Sequence, residues 1–146
     1  MPLIQVQVNL QVSIDNVWNL LLDLNNYPKL MEPVKNIQIL KESENYTEVE
    51  WEVLLKGSIL QWVEQETRFP EKYRIEFDQI CGDLDKFSGY WQLSQAEKNV
   101  TTAELVIDFD IGIEMLREML DPVAEKALRE NSRKMLLSLG PEASTD

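Results

Sequence analysis

Four segments of this chain alternate between apolar and polar residues, and this pattern restricts the possible folds more than any other feature. The segments are residues 3–12, 48–55, 73–79 and 103–111. A period of two is typical of a β-strand that buries one face. Turn-forming residues separate the strand-like segments that follow Pro33, so we expect successive hairpins and an antiparallel sheet with one acidic and one apolar face.

Helical patterns precede and follow these strands. Ser13 or Asp15 can cap a short helix, and the sequence Asn-Asn-Tyr-Pro at 25–28 breaks it before a second helical turn. Between 115 and 139 apolar residues recur at steps of three and four, which predicts a long amphipathic helix. Pro122 lies inside this segment, where proline should kink or restart the helix.

The order of these elements predicts an α+β fold. One long, proline-kinked C-terminal helix would lie across a curved antiparallel sheet of six to seven strands, with two short helices after the first strand. A single helix about 10 Å wide cannot fill the concave face of such a sheet. We therefore expect an internal hydrophobic cavity between the helix and the sheet.

Length and charge narrow the class of protein further. The 146 residues suit one domain, over 1–140, and residues 141–146 resemble a disordered tail. A net charge of -12 repels nucleic acid and anionic membranes, and no apolar run is long enough to span a bilayer. Because Cys81 is the single cysteine and the first residues lack a signal-peptide pattern, we expect a cytoplasmic protein.

Histidine is absent from the chain, which excludes several kinds of catalytic site. Ser/His/Asp and Cys/His catalysis both require it, and it is the commonest metal ligand. The sequence also lacks a glycine-rich phosphate loop. We therefore expect neither a metal ion nor another cofactor.

Three charged residues in the segment 61–69 form the most informative candidate site. Glu64, Glu66 and Arg68 share the parity of Trp62, so all four side chains should project to one face of a strand. If this face is buried, a carboxyl in apolar surroundings acquires a raised pKa and suits general base chemistry. A register shift or bulge would instead turn the charges outward and bury the opposite parity.

Aromatic residues, methionines and one asparagine complete the candidate lining of the cavity. Each is also compatible with ordinary core packing. The candidates are Trp51, Trp62, Phe77, Phe87, Trp91, Met115, Met119 and Asn131.

Three stretches of the sequence resemble the START-like polyketide cyclase/dehydrase superfamily, which includes single-domain aromatase/cyclases and coenzyme Q-binding proteins. They are VWNLLLDLNNYP at 17–28, GDLDKFSGYW at 82–91, and DPVA followed by ALREN within 121–131. The resemblance covers nearly the whole chain and implies a helix-grip fold with a ligand cavity. It also implies that Tyr27 and the strand containing residues 61–66 line that cavity.

The resemblance implies two functions of different classes. One is an aromatase/cyclase that folds a poly-β-keto chain, delivered by an acyl carrier protein, and directs aldol closure and dehydration. Glu64 or Glu66 would then remove the α-proton, Arg68 would stabilise the enolate or alkoxide, and Tyr27 would orient a carbonyl. The alternative is a non-catalytic carrier of a quinone, isoprenoid or other lipid. Either protein would be a monomer or a homodimer.

Similar aromatase/cyclases often have an arginine near the position of Glu66. This sequence has glutamate there, and its nearest arginine is Arg68.

Overall fold

A seven-stranded antiparallel sheet dominates the computed structural model, which describes residues 3–110 and 121–143. The sheet has the strand order β1-β7-β6-β5-β4-β3-β2, so every pair of consecutive strands from β2 to β7 is adjacent. The predicted hairpins are therefore confirmed. The strands are β1 (Leu3–Leu10), β2 (Val34–Ser43), β3 (Tyr46–Leu55), β4 (Ser58–Phe69), β5 (Arg74–Gly82), β6 (Lys86–Glu97) and β7 (Val100–Asp110).

Two short helices connect β1 to β2. Helix α1 spans Ile14–Leu22, and its first turn is capped by the Ser13 hydroxyl, which accepts a hydrogen bond from the Asn16 backbone N–H. A 3₁₀ turn at Leu24–Asn26 leads into α2, Tyr27–Leu30. Of the two residues predicted to cap α1, Ser13 is the N-cap.

Helix α3 spans Asp121–Leu137 and packs against β1, β7 and β3. Pro122 is the second residue of this span. A kink at Pro122 would involve the residues on both sides of it. Residues 111–120 lie outside the described part of the chain, so the kink stays a prediction. Among the helices that the structure describes, none is long and apolar enough to cross a membrane.

The alternating pattern determines which face of the sheet is buried. In β1 and β3 every second residue is buried, and the intervening residues are exposed or partly exposed. The buried face and the inner side of α3 form the core. Its largest fully buried side chains are those of Ile4, Leu10, Leu21, Tyr27, Met31, Leu55, Leu60, Ile75, Leu105, Phe109, Leu136 and Leu139.

The two edge strands of the sheet, β1 and β2, differ in their backbone structure and hydrogen bonding. Along β1, the Gln11 N–H donates to the Pro141 carbonyl at 2.7 Å and the Ala143 N–H donates to the Asn9 carbonyl at 2.8 Å. Residues 141–143, which the sequence predicts to be disordered, thus bond to the end of this strand. At the other edge, β2 shows register shifts between Val34 and Asn36 and between Ile39 and Lys41.

Candidate functional site

A cavity of about 40 Å³ lies between the inner face of the sheet and α3. The lining contains six of the eight aromatic, methionine and asparagine candidates, together with Glu64. It consists of Trp51, Val53, Trp62, Glu64, Phe77, Phe87, Trp91, Leu105, Ile107, Leu128, Asn131, Ser132 and Met135.

Aromatic rings form one continuous wall of this cavity. Trp51 on β3 lies directly opposite Trp62 on β4, and the two indoles stack with their ring centres 5.6 Å apart. The Trp62 ring also contacts Phe87 at 4.8 Å, and Phe87 contacts Phe77 at 5.6 Å. The wall exists because each residue takes the inward parity of its strand, as the alternation predicts.

Glu64 brings a carboxyl group to this aromatic wall. Its side chain is only 2% exposed, and its Oε1 accepts a hydrogen bond of 2.7 Å from Trp62 Nε1. Burial raises the pKa of Glu64 well above 4.5, and the charge of Glu66 raises it further. The indole groups of Trp62 and Trp51 oppose this rise because they favour the carboxylate.

Glu66 is the second buried carboxyl, and it lies outside the lining of the cavity. It is 2% exposed and points to the same face of β4 as Glu64. Burial raises the pKa of Glu66, whereas hydrogen bonding with Glu64 and the positive charge of Arg68 lower it. The inward orientation of this strand is therefore correct, and the alternative that turned its charges outward is wrong.

Arg68 forms its ion pair with Glu42 on β2 and not with Glu66. Its Nη2 lies 4.0 Å from Glu42 Oε2, and its side chain is 10% exposed. Among the described residues no salt bridge within 4.0 Å involves Glu64 or Glu66. The positive charge thus approaches the pair of carboxyls from the end of β4, away from the cavity.

Four buried polar atoms around these two carboxyls have no hydrogen-bond partner among the described residues. They are Thr47 Oγ1, Trp51 Nε1, Arg68 Nε and Gln79 Oε1. Thr47 is paired with Glu66 in the sheet, and Gln79 is paired with Glu64. A polar region therefore lies within the apolar interior on β3, β4 and β5.

Tyr27 lies behind the aromatic wall and outside the lining of the cavity. It is 1% exposed, and its hydroxyl donates a hydrogen bond of 2.5 Å to the Leu21 carbonyl. Its ring contacts Trp51 at 5.6 Å and Trp91 at 6.5 Å. Burial, followed by the charges of Glu66 and Glu64, raises the pKa of Tyr27 well above 10.0. The lining of this cavity does not include Tyr27, and the ligand contact that the resemblance implies for it stays a prediction.

Asn131 reaches the cavity from α3. Its Nδ2 donates a hydrogen bond of 2.8 Å to the Leu54 carbonyl, so the amide joins α3 to β3. The hydrogen bond within the protein is therefore observed, and contact of Asn131 with a ligand stays a prediction. Met115 and Met119 lie outside the described residues.

Several lining residues were absent from the predicted site although the sequence contained their signal. Val53, Leu105 and Ile107 have the inward parity of their strands, and Leu128 and Ser132 lie on the inner side of α3. Thr47 has the same inward parity as Trp51, but the sequence pattern did not predict it near the site because it is polar. Among residues 3–110 and 121–143, no group of three or more cysteine or acidic side chains could hold a metal ion.

The structure closely matches several solved structures. The protein TTHA0849 from Thermus thermophilus superposes with a TM-score of 0.87 at 22% identity, over 94% of each chain. The Zhui aromatase/cyclase from Streptomyces sp. R1128 gives 0.84 at 23% identity, over 94% of this chain and 90% of that one. A START superfamily protein from Mycobacterium smegmatis gives 0.80 at 15% identity, over 94% and 93%. These likenesses establish the helix-grip fold.

Sequence comparison defines the family. A comparison with curated proteins found no match. In contrast, the family model described as polyketide cyclase/dehydrase and lipid transport matches residues 10–136, which is most of the chain. The protein therefore belongs to the polyketide cyclase/dehydrase and lipid transport family.

Proposed function

We propose that this protein binds a hydrophobic molecule with several carbonyl groups, such as a poly-β-keto chain, and catalyses its intramolecular aldol cyclisation and dehydration. The observation that carries the proposal is the position of Glu64, a buried carboxyl with a raised pKa at the wall of an aromatic cavity. The family description and the aromatase/cyclase named among the structural neighbours support this choice.

Glu64 can provide the two proton transfers that each of the two steps of this chemistry needs. In the aldol step an α-carbon loses a proton, a carbon–carbon bond forms, and the attacked carbonyl oxygen gains a proton. In the dehydration step the departing hydroxyl takes a proton and leaves as water, while the neighbouring carbon loses one. In each step Glu64 as a carboxylic acid donates the proton to the oxygen, and as a carboxylate it accepts the proton from the carbon, so it ends the step in its starting form.

Arg68 and Tyr27 have no direct part in this proposal. Arg68 is directed towards Glu42, and the Tyr27 hydroxyl donates its hydrogen bond to a backbone carbonyl. On the opposite wall Asn131 Nδ2 donates a hydrogen bond to the Leu54 carbonyl. Its side-chain oxygen would therefore be the atom that accepts a hydrogen bond from an enol. Delivery of the substrate by an acyl carrier protein belongs to the same proposal.

The small volume of the cavity means that a substrate can bind only if the cavity enlarges. Pockets for small molecules commonly measure about 300–1,000 Å³, far more than the 40 Å³ found here. A polyketide can therefore bind only if side chains of the wall change rotamer. The cavity would then hold the chain in a folded conformation, and proximity of the reacting carbons can contribute about 7–11 kcal/mol in well-oriented cases.

The test is the conversion of a synthetic poly-β-keto thioester, followed by mass spectrometry of the aromatic product. Glu64→Gln keeps the shape of the side chain and removes its proton, so we expect a loss of rate of about 10²-fold or more. Glu50→Gln, on the outer face of β3, is the matched control and should keep the rate. An unchanged rate in Glu64→Gln would exclude Glu64 as the acid–base group.

A carrier of a quinone, isoprenoid or other lipid is the second candidate. It is favoured by the lining itself, in which ten of the thirteen residues are apolar or aromatic and only Glu64, Asn131 and Ser132 are polar or charged. Native mass spectrometry of the protein purified from its own host distinguishes the two functions. A copurified quinone or long-chain lipid, together with no conversion of the thioester, would favour the carrier.

A further inference from the structure

We propose that Glu66 is a positioning residue that holds a proton on Glu64, so that the carboxyl facing the cavity is a carboxylic acid at neutral pH. The inference rests on the proposed function, in which Glu64 serves first as a proton donor. It assigns to Glu66 a role without substrate contact, since Glu66 lies outside the lining of the cavity.

The strand brings the two carboxyls together. Glu64 and Glu66 are two residues apart on β4, which places their backbones about 7 Å apart and directs both side chains to the same face. At this spacing two glutamate side chains can reach each other, and the neighbouring Glu66 contributes to the raised pKa of Glu64. Any hydrogen bond between two such carboxyls requires that one of them carry a proton, because a carboxylate has no hydrogen to donate.

The surroundings prevent both groups from ionising together. Each residue is 2% exposed, and no basic group lies within 4.0 Å of either carboxyl among the described residues. Two adjacent negative charges in an apolar interior repel each other strongly, so one member of such a pair keeps its proton. The pair therefore carries about one negative charge near neutral pH.

The neighbours of each carboxyl decide which one carries this charge. Arg68 lies two residues beyond Glu66 on the same face, and its charge stabilises the Glu66 carboxylate. The hydroxyl of Thr47, opposite Glu66 on β3, has no other partner among the described residues and can also donate to it. The charge thus belongs on Glu66 and the proton on Glu64.

The side chains that approach the two carboxyls from neighbouring elements do not oppose this assignment of the charge. Tyr27 on α2 is neutral, and its proton is directed to the Leu21 carbonyl. The residues paired with Glu64 and Glu66 on β3 and β5 are Thr47, Val49, Phe77 and Gln79, none of which carries a charge. The Trp62 indole still bonds to Oε1 of Glu64, because the oxygen of a neutral carboxyl that carries no proton also accepts.

The ligand-free protein provides the test. The indole Nε1–H of Trp62, identified in the ¹H–¹⁵N spectrum by its loss in Trp62→Phe, reports the ionisation of Glu64. In Glu66→Gln the repelling charge is gone, so the midpoint of this titration should fall by at least about one pH unit, a tenfold loss of proton affinity. Glu66→Asp, which keeps the charge, should restore most of the midpoint. An unchanged midpoint in Glu66→Gln would overturn the proposal.

A second measurement does not depend on the stability of any variant. In the wild-type protein with ¹³C-labelled glutamate, the carboxyl carbon of Glu66 should ionise at lower pH than that of Glu64. The opposite order would show that Glu66 holds the proton and would overturn the inference. Because neither measurement uses substrate, the inference can hold even if Glu64→Gln keeps full activity, and that result would reject only the proposed function.

Discussion

Trp51 and Trp62 face each other across β3 and β4 with their indole planes only 6° apart. Because the two residues are directly paired in the sheet, each fixes the orientation of the other. Trp62 uses this orientation to donate its N–H to Glu64. The stacked pair thus supports both the wall of the cavity and the placement of the acid.

We expect Trp62→Ala to destabilise the fold strongly. The substitution leaves a void between Trp51 and Phe87 and removes the hydrogen bond to Glu64, and such truncations cost about 3–5 kcal/mol. Trp62→Phe keeps a ring but not the N–H, so its loss should be smaller. Urea unfolding gives both free energies, and equal losses for the two variants would contradict this explanation.

The pH dependence of stability should reveal the buried acid. The pKa of Glu64 is raised on folding, so the native state binds the proton more tightly than the unfolded state. The unfolding free energy should therefore decrease as the pH rises from about 4.5 through the pKa of the folded protein, while below about 4.5 this loss is absent. The measurement is urea unfolding of the wild type between about pH 4.5 and 8.

Glu64→Gln isolates this effect from the repulsion among the many surface carboxylates. The variant cannot lose a proton at this position, so its stability relative to wild type should increase as the pH rises, by up to about 1.4 kcal/mol per pH unit. Glu50→Gln should show a nearly constant difference over the same range. A constant difference for Glu64→Gln as well would show that the carboxyl titrates normally.

Gly89→Ala should destabilise the sheet although the added group is a single methyl. A Cβ at this position would lie 1.9 Å from the Val106 carbonyl oxygen and 3.0 Å from Phe77 Cζ. Overpacking of this kind costs about 1–3 kcal/mol, and here the backbone of β7 must move. Ser88→Ala, at the neighbouring position with opposite parity, should change the free energy of unfolding by less than about 0.5 kcal/mol. Equal stabilities for the two variants would refute this steric argument.

Asn131→Ala tests the connection between α3 and the sheet. The change leaves the Leu54 carbonyl without its side-chain donor, and we expect a loss of about 1 kcal/mol in the free energy of unfolding. Glu130→Gln, the exposed neighbour on the same helix, serves as the control in the same urea experiment. If both variants match the wild type, the bond contributes nothing measurable to stability.

The alternation in the sequence was sufficient to predict the sheet and the inward face of its strands. It also grouped Trp62, Glu64 and Glu66 correctly, because parity depends only on the backbone. Parity cannot measure how far a side chain reaches, however. Arg68 has the predicted parity but lies near the end of β4, where it meets Glu42 and not the cavity.

Tyr27 shows a second limit of prediction from sequence. The resemblance implied that Tyr27 lines the cavity, whereas the direction of its hydroxyl depends on the turn between α1 and α2. That turn presents the Leu21 carbonyl as an acceptor. Because such a contact is set by local backbone geometry, neither composition nor periodicity could reveal it.

The register shifts in β2 bear on how this protein behaves at high concentration. An outermost strand with regularly spaced N–H and C=O groups can act as a template for another molecule and so start aggregation. The irregularities at Val34/Asn36 and Ile39/Lys41 interrupt that regular spacing, and the strand carries Lys35, Lys41 and Glu42. We therefore expect that restoring a straight β2, by deleting the extra residue at either irregularity, would promote fibril formation.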